Sequence, residues 1–363
     1  MRASPFQVLT MSHVPRLAGA ALLAAGCALM GCRAAPGSGG STSSGGPLGS
    51  AEPAPARAAA EPLKIAFNTW LGYSPLVLAK ERGFLKEGGI DVEISILESM
   101  AEKNAALLRG AIDGVGHTAD STVTSAAAGV DGQIVYVFDL SHGADGVLAQ
   151  RSIKSIADFK GKKVALEPGF TGHFFFLTLL SEAGLTPTDV TVVSMDTGSA
   201  GGAFVAGKVE AAVTWEPWIG KTKAMPNAHV VVTSADRPGL IVDVLYMNRA
   251  AVQRRPDDIQ ALIRAMGRAA DWYAANTAEG DELIARFWKL PLPEEKETVA
   301  GIRFMSLPRN AEFFGTAAAP GQLLDTVRRA NDIWLKAGIT TKPVDAASLV
   351  DFASVNKAAS GKP

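Results

Sequence analysis

Residues 163–194, KVALEPGFTGHFFFLTLLSEAGLTPTDVTVVS, set a strand, a helix and a second strand in close succession. The apolar run over 163–166 has strand length, and Glu167-Pro168-Gly169 breaks it. Thr171 is placed to cap a helix running to 183, Gly184 ends it, and a β-branched run over 191–194 follows. Strands joined through a helix are expected to pair in parallel. This unit predicts an α/β fold, and the same alternation extends in both directions from it.

Upstream, the pattern predicts strands over 64–67, 92–97, 114–117 and 134–138, separated by helices over 74–82, 102–109 and 120–128. Ser74 is the expected cap of the first helix, with Pro75 at its first position. Downstream come a helix near 203–206, strands over 211–215 and 230–233, and an apolar run over 240–247. Long helical patterns over 256–275 and 323–337 close the chain, with no strand expected among them. The alternation predicts two lobes, with lobe 1 formed by 63–148 plus 245–363 and lobe 2 by 149–244. Chain crossings near 147–151 and 243–247 would form the hinge.

The N-terminus reads differently. Arg2, His13 and Arg16 precede an apolar run over 17–30, shorter than the roughly 20 apolar residues that span a bilayer. It fits the apolar region of a secretory signal, with Met11 as an alternative start. Residues 29–32, LMGC, resemble a bacterial lipobox, so a signal peptide over 1–32 and lipidation of Cys32 are expected, with Cys27 a poorer candidate. Gly, Ser, Pro and Ala dominate 33–62, which reads as a flexible tether. Cys27 and Cys32 are the only cysteines, so the folded part carries no disulfide, thiolate metal site or cysteine nucleophile. A net charge of -1 without a basic run gives no electrostatic case for nucleic acid.

Four stretches resemble the nitrate, sulfonate and taurine group of substrate-binding proteins of bacterial ABC importers. They are WLGYSPLVLAKERGF (70–84), SIKSIADFKGKKV (152–164), GKVEAAVTWEPW (207–218) and WLKAGI (334–339). The resemblance implies a periplasmic-binding-protein fold of type II-like architecture, with parallel or mixed sheets, helices on both faces and a two-strand hinge. It implies a monomer that captures a small-molecule solute and delivers it to an ABC permease and its ATPase. The protein would act in the periplasm or at the cell surface, held to the membrane by its N-terminal lipid. A remoter likeness joins the chain to thiamine-pyrimidine proteins, but the Cys-rich motif of the synthesising members is missing. No cofactor, metal or enzymatic activity is expected.

In open α/β lobes, ligands lie beyond the carboxyl ends of strands and between domains. The candidates on that basis are Trp70, Tyr73, Ser74, Asp120, Ser121, Asp139, Asp145, Thr171, His173, Trp215, Glu216 and Asp243. Arginine is absent from these tips and Lys103 is the nearest base. Acids beside aromatic rings suit a cation, which gains cation–π attraction and charge-assisted hydrogen bonds. The solute is therefore expected to be cationic, zwitterionic or urea-like: guanidine, a short amine or taurine. Glu216 and Asp243 are the leading pair, since Glu216 ends a strand between indoles and Asp243 interrupts the apolar LIVDVL over 240–245. In the resemblance, taurine-type relatives carry an aspartate at the position of Asp243 and a small residue where this chain has Glu216. A nitrate or sulfonate receptor is the competitor in the same class. A pyrimidine-forming enzyme, an extracytoplasmic hydrolase and a sensory input domain are competitors from other classes.

Each candidate also has a structural explanation. Asp120, Ser121 and Thr171 are placed to cap helices, and Asp243 could bond to the hinge backbone. His117, His142 and His173 lack the short spacing of a metal site.

Overall fold

The computed structural model describes residues 61–361, so the expected signal peptide, Cys32 and nearly all of the tether lie outside it. Its first strands are β1 (Leu63–Phe67), β2 (Val92–Ile96), β3 (Gly114–Thr118) and β4 (Gly132–Ser141). Next come β5 (Asp145–Gln150), β6 (Lys163–Leu166), β7 (Thr191–Ser194), β8 (Ala211–Trp215) and β9 (Ala228–Thr233), then β10 (Val242–Asn248) and β11 (Ile302–Phe304).

They form two mixed sheets. The first has the order β11-β4-β10-β3-β1-β2 and the second β7-β6-β8-β5-β9. β1, β2 and β3 pair in parallel, as do β6, β7 and β8, each set joined by helices. The exceptions carry the chain between sheets: β5 is antiparallel to β8 and β9, and β10 is antiparallel to β3 and β4.

These pairings move the expected boundaries. The chain leaves the first sheet after Ser141 and enters the second at Asp145, then returns between Thr233 and Val242. The expected crossing at 147–151 falls largely within β5, and the one at 243–247 within β10. Both runs are apolar because they are buried strands, not because they are hinges. The C-terminal segment also has a strand, β11, which pairs with the end of β4. Three residues are too few to leave a periodic signal.

The core of the first sheet is aromatic next to the site. The Tyr73 ring stacks on Phe67 at 5.0 Å and meets Phe138 edge-on at 5.3 Å. Gly116 in β3 makes this possible, since a Cβ there would lie 2.8 Å from the Tyr73 ring. The helix Thr171–Glu182 buries Phe174, Phe175 and Phe176, which explains its nearly unbroken apolar sequence. Helix Pro256–Ala275 is amphipathic and packs against helix Ser74–Glu81. Among the described residues, no helix is long and apolar enough to cross a membrane.

Candidate functional site

Strand register gathers the acids. Asp243 in β10 stands opposite Asp139 of β4 on one side and Thr118 of β3 on the other. A register shift between Asp243 and Val244 marks a bulge at this point, a device that re-aims side chains near functional sites. Asp145 opens β5 opposite Trp215 of β8. Two carboxyls set opposite each other in a sheet are destabilising once both are charged.

Between the two sheets lies a cavity. Asn68, Trp70, Tyr73, Thr118 and Asp243 line it from the first sheet's side, and Asp145, Phe170, Thr171 and Trp215 from the second's. Trp70 faces Trp215 at 6.1 Å between ring centroids, and Phe170 meets Trp215 edge-on at 6.3 Å. Thr118 and Thr171 close the gap with a 2.6 Å hydroxyl pair, and Thr124 donates to the Gly169 carbonyl at 3.2 Å. The space open to the centre of a water-sized sphere is 10 Å³, about one such sphere. The two sides are thus closed on each other. A roomier cavity of 410 Å³ lies by Tyr273, Asp281, Arg303 and Arg309, but it shares no lining residue with this one. Asp281 there is already bonded by the Tyr273 hydroxyl at 2.6 Å.

Unsatisfied polar atoms occur at and around the inter-sheet cavity, as they also do at Glu295 near Asp281, but here they lie between two sheets and beside aromatic rings. Asp145 Oδ2 and Asp120 Oδ1 have no hydrogen-bond partner, and Asp139 has only the Trp70 indole N–H set against it, too poorly placed for a full hydrogen bond but enough to favour its charged form. All these residues are buried. A buried polar atom without a partner costs about 1–3 kcal/mol, so several in one place point to a ligand. Gly72 permits the arrangement: a Cβ there would fall 2.0 Å from Asp139 Oδ2 and 2.2 Å from Trp70 Nε1.

Burial makes these carboxyls weak acids. It drives Asp139 and Asp243 well above the usual carboxylate range; the Trp70 indole N–H opposes the shift of Asp139 and the Tyr73 hydroxyl that of Asp243, while Asp145 adds to both and Asp139 adds to that of Asp243. Burial pushes Asp145 up to about 7 against a bond from Ser141, with Asp120 and Glu216 adding to the shift. Asp120 also rises to about 7 by burial, opposed by Thr118 and Ser121. The buried base is Lys103, which donates to Asn68 Oδ1 at 2.9 Å and to the Gly116 carbonyl at 3.2 Å. Burial lowers its amine to about 8, against the opposing pull of Glu167, Asp243 and Glu98.

The twelve candidates therefore divide. Trp70, Tyr73, Asp145, Thr171, Trp215 and Asp243 line the cavity. Asp139 stands beside Asp243, and Asp120 with Ser121 sits behind Thr118, where Ser121 donates to Asp120 at 3.2 Å and accepts from Thr118 at 2.8 Å.

Three candidates are engaged elsewhere. Ser74 makes no side-chain cap; its hydroxyl accepts from the Trp288 indole at 3.2 Å. His173 Nδ1 accepts from the Gly169 amide at 3.1 Å, and burial lowers its pKa to about 4, so the ring is neutral. Glu216 accepts from the Gly220 amide at 2.8 Å in the helix Trp218–Lys223 and lies 3.8 Å from Lys223, whose ammonium also reaches Glu297 at 3.6 Å. Its carboxylate steadies the following helix and does not line the cavity. Trp218 packs over Gly201 and Gly202. Asn68 escaped the sequence reading, although it directly follows β1, because an uncharged, non-aromatic residue gives little signal.

A family model described as NMT1/THI5 like matches residues 70–279, more than half of the chain. The putative aliphatic sulfonates-binding protein of Escherichia coli (strain K12) is 31% identical over 243 residues, 66% of this chain and 75% of that protein. The alkanesulfonate-binding protein from Xanthomonas axonopodis pv. citri, solved bound to MOPS, superimposes with a TM-score of 0.66 at 21% identity. That match covers 81% of this chain and 99% of the other. The periplasmic nitrate-binding protein from Synechocystis PCC 6803 gives 0.67 at 17% identity, over 82% and 88%. The chain belongs to the NMT1/THI5-like family and has the periplasmic-binding-protein fold.

Proposed function

We propose that this member of the NMT1/THI5-like family is the extracytoplasmic solute-binding component of an ABC importer, and that its solute carries a positive charge. Guanidine, a short amine or a zwitterion such as taurine belongs to the chemical class. One observation carries the reading: Asp145 and Asp243 line an aromatic-walled cavity between two sheets, with Asp139 opposite Asp243 in the strand register, and Asp145 Oδ2 has no protein partner. A cation placed there would replace missing hydrogen bonds with charge-assisted ones and lie against Trp70, Trp215 and Phe170.

Capture follows from the connections between sheets. Asp243 and Trp70 belong to one side, Asp145 and Trp215 to the other, so a solute touching all four favours the closed form over the open one. The permease would recognise that closed form, and no bond in the solute would change. Anchoring through Cys32 and action as a monomer belong to the same proposal.

The competing reading, a receptor for nitrate or a sulfonate, draws on the names of the relatives and on the donors Trp70 Nε1 and Lys103. A thermal-shift panel separates the two, because a ligand raises the midpoint only by binding the native state. Guanidinium and methylammonium chlorides should raise the unfolding midpoint at concentrations where sodium nitrate and methanesulfonate do not. Stabilisation by the anions alone would reject the cation reading.

A further inference from the structure

Lys103 is wholly buried, and its position fixes more than a charge. An ammonium can only donate, so the atom of Asn68 at 2.9 Å from Lys103 must be the amide oxygen. Lys103 is itself held by the Gly116 carbonyl at 3.2 Å and by the Phe170 ring, whose centroid lies 5.0 Å from the ammonium. Asn68 is buried and lines the cavity, and its Nδ2 donates to no acceptor among the described residues. The Trp70 indole N–H, by contrast, is set against the Asp139 carboxyl. The cavity thus offers unsatisfied carboxylate acceptors and unsatisfied N–H donors together.

We infer that Lys103 is a specificity-determining positioning residue: by holding the oxygen of Asn68, it turns that side chain's N–H donors toward the solute, so that among cations those that also carry an oxygen acceptor are preferred. This rests on the cation reading and narrows it. A donor-only cation satisfies the aspartates but leaves the Asn68 donors unpaired. A cation bearing a hydroxyl, carbonyl or anionic oxygen satisfies both sets. Without Lys103 the amide could turn over, and the preference for an acceptor would fade while attraction for the cation persisted.

Calorimetric titration with two amines of nearly equal size and charge tests this. Ethanolammonium carries a hydroxyl where n-propylammonium carries a methyl. The wild-type protein should bind ethanolammonium about ten-fold more tightly. Lys103→Met should reduce that ratio toward one while n-propylammonium binding is retained. The double variant Lys103→Met/Asn68→Leu replaces both partners with apolar groups of similar shape, which favours retention of the fold, and should show no preference. A lysine with only a structural role would weaken both amines equally and leave the ratio unchanged. That result, or equal binding of the two amines by the wild type, overturns the inference while leaving the cation reading standing. If neither amine binds and nitrate or methanesulfonate does, the cation reading fails and this inference with it.

Discussion

Glu216 at the end of β8 and Asp243 within β10 are both buried acids in otherwise apolar surroundings, yet their environments differ in kind. Glu216 has a backbone amide at 2.8 Å and a lysine at 3.8 Å, both supplied by the helix that follows it. Asp243 has the Tyr73 hydroxyl on one side and a second carboxyl, that of Asp139, opposite, with no cation paired to either among the described residues. Burial alone therefore does not mark a binding residue. The useful mark is a buried polar atom that the fold leaves unsatisfied, because the fold gains nothing from it.

Substitutions should separate the two regions. The largest effect is expected at the facing acids Asp139 and Asp243: Asp139→Asn or Asp243→Asn should weaken binding of a cationic ligand at least about 30-fold, since losing one partner of a buried charge pair costs about 2–5 kcal/mol. Neither change should lower the stability of the ligand-free protein, as each removes one of two buried carboxyls that face each other, and the amide at 243 keeps an oxygen for the Tyr73 hydroxyl. Calorimetry and thermal unfolding of the same samples check both halves. A variant that binds normally would remove its residue from the site.

The pH dependence should also follow the unsatisfied acids. Asp120 and Asp145 hold their protons up to about 7 in the fold, whereas an unfolded aspartate loses its proton near 3.9. Between those values the native state binds more protons than the unfolded chain, so stability falls as pH rises through that window. The ligand-free protein should melt several degrees higher at about pH 5 than at about pH 8, and Asp145→Asn should shrink the difference. A midpoint that rises with pH across this interval would contradict the assignment. The smallest effect is expected at the other region. Glu216→Gln keeps an acceptor for the Gly220 amide and loses only the pairing with a half-exposed lysine, so cation affinity should change less than about three-fold and stability by less than about 1 kcal/mol. A large loss of binding would return Glu216 to the site.

The fold was legible because its punctuation is strong. Strands β6, β7 and β8 and the helix Pro256–Ala275 lie where the apolar runs and their Gly or Pro boundaries put them. β5 was read as a hinge because DGVLAQ has the apolar character of either, and only its pairing with β8 and β9 decides. At the site, residue types were legible and partners were not. Nothing in the sequence shows that Asp139 and Asp243 fall opposite each other, since that depends on the register of β4 against β10. The role of Glu216 had a local signal, a carboxylate just before a short helix where free amides await an acceptor, but the flanking indoles drew attention to the cleft. Asn68 became visible only through Lys103.

The central claim is that these acids are completed by a cation. Calorimetric titration of the wild-type protein at about pH 7, in two buffers of different ionisation enthalpy, measures it through the proton count. A cation should displace the protons that burial keeps on Asp120, Asp139, Asp145 and Asp243, so guanidinium binding should release protons to the buffer. Proton uptake on binding, with nitrate or methanesulfonate as the solute that binds, would contradict it.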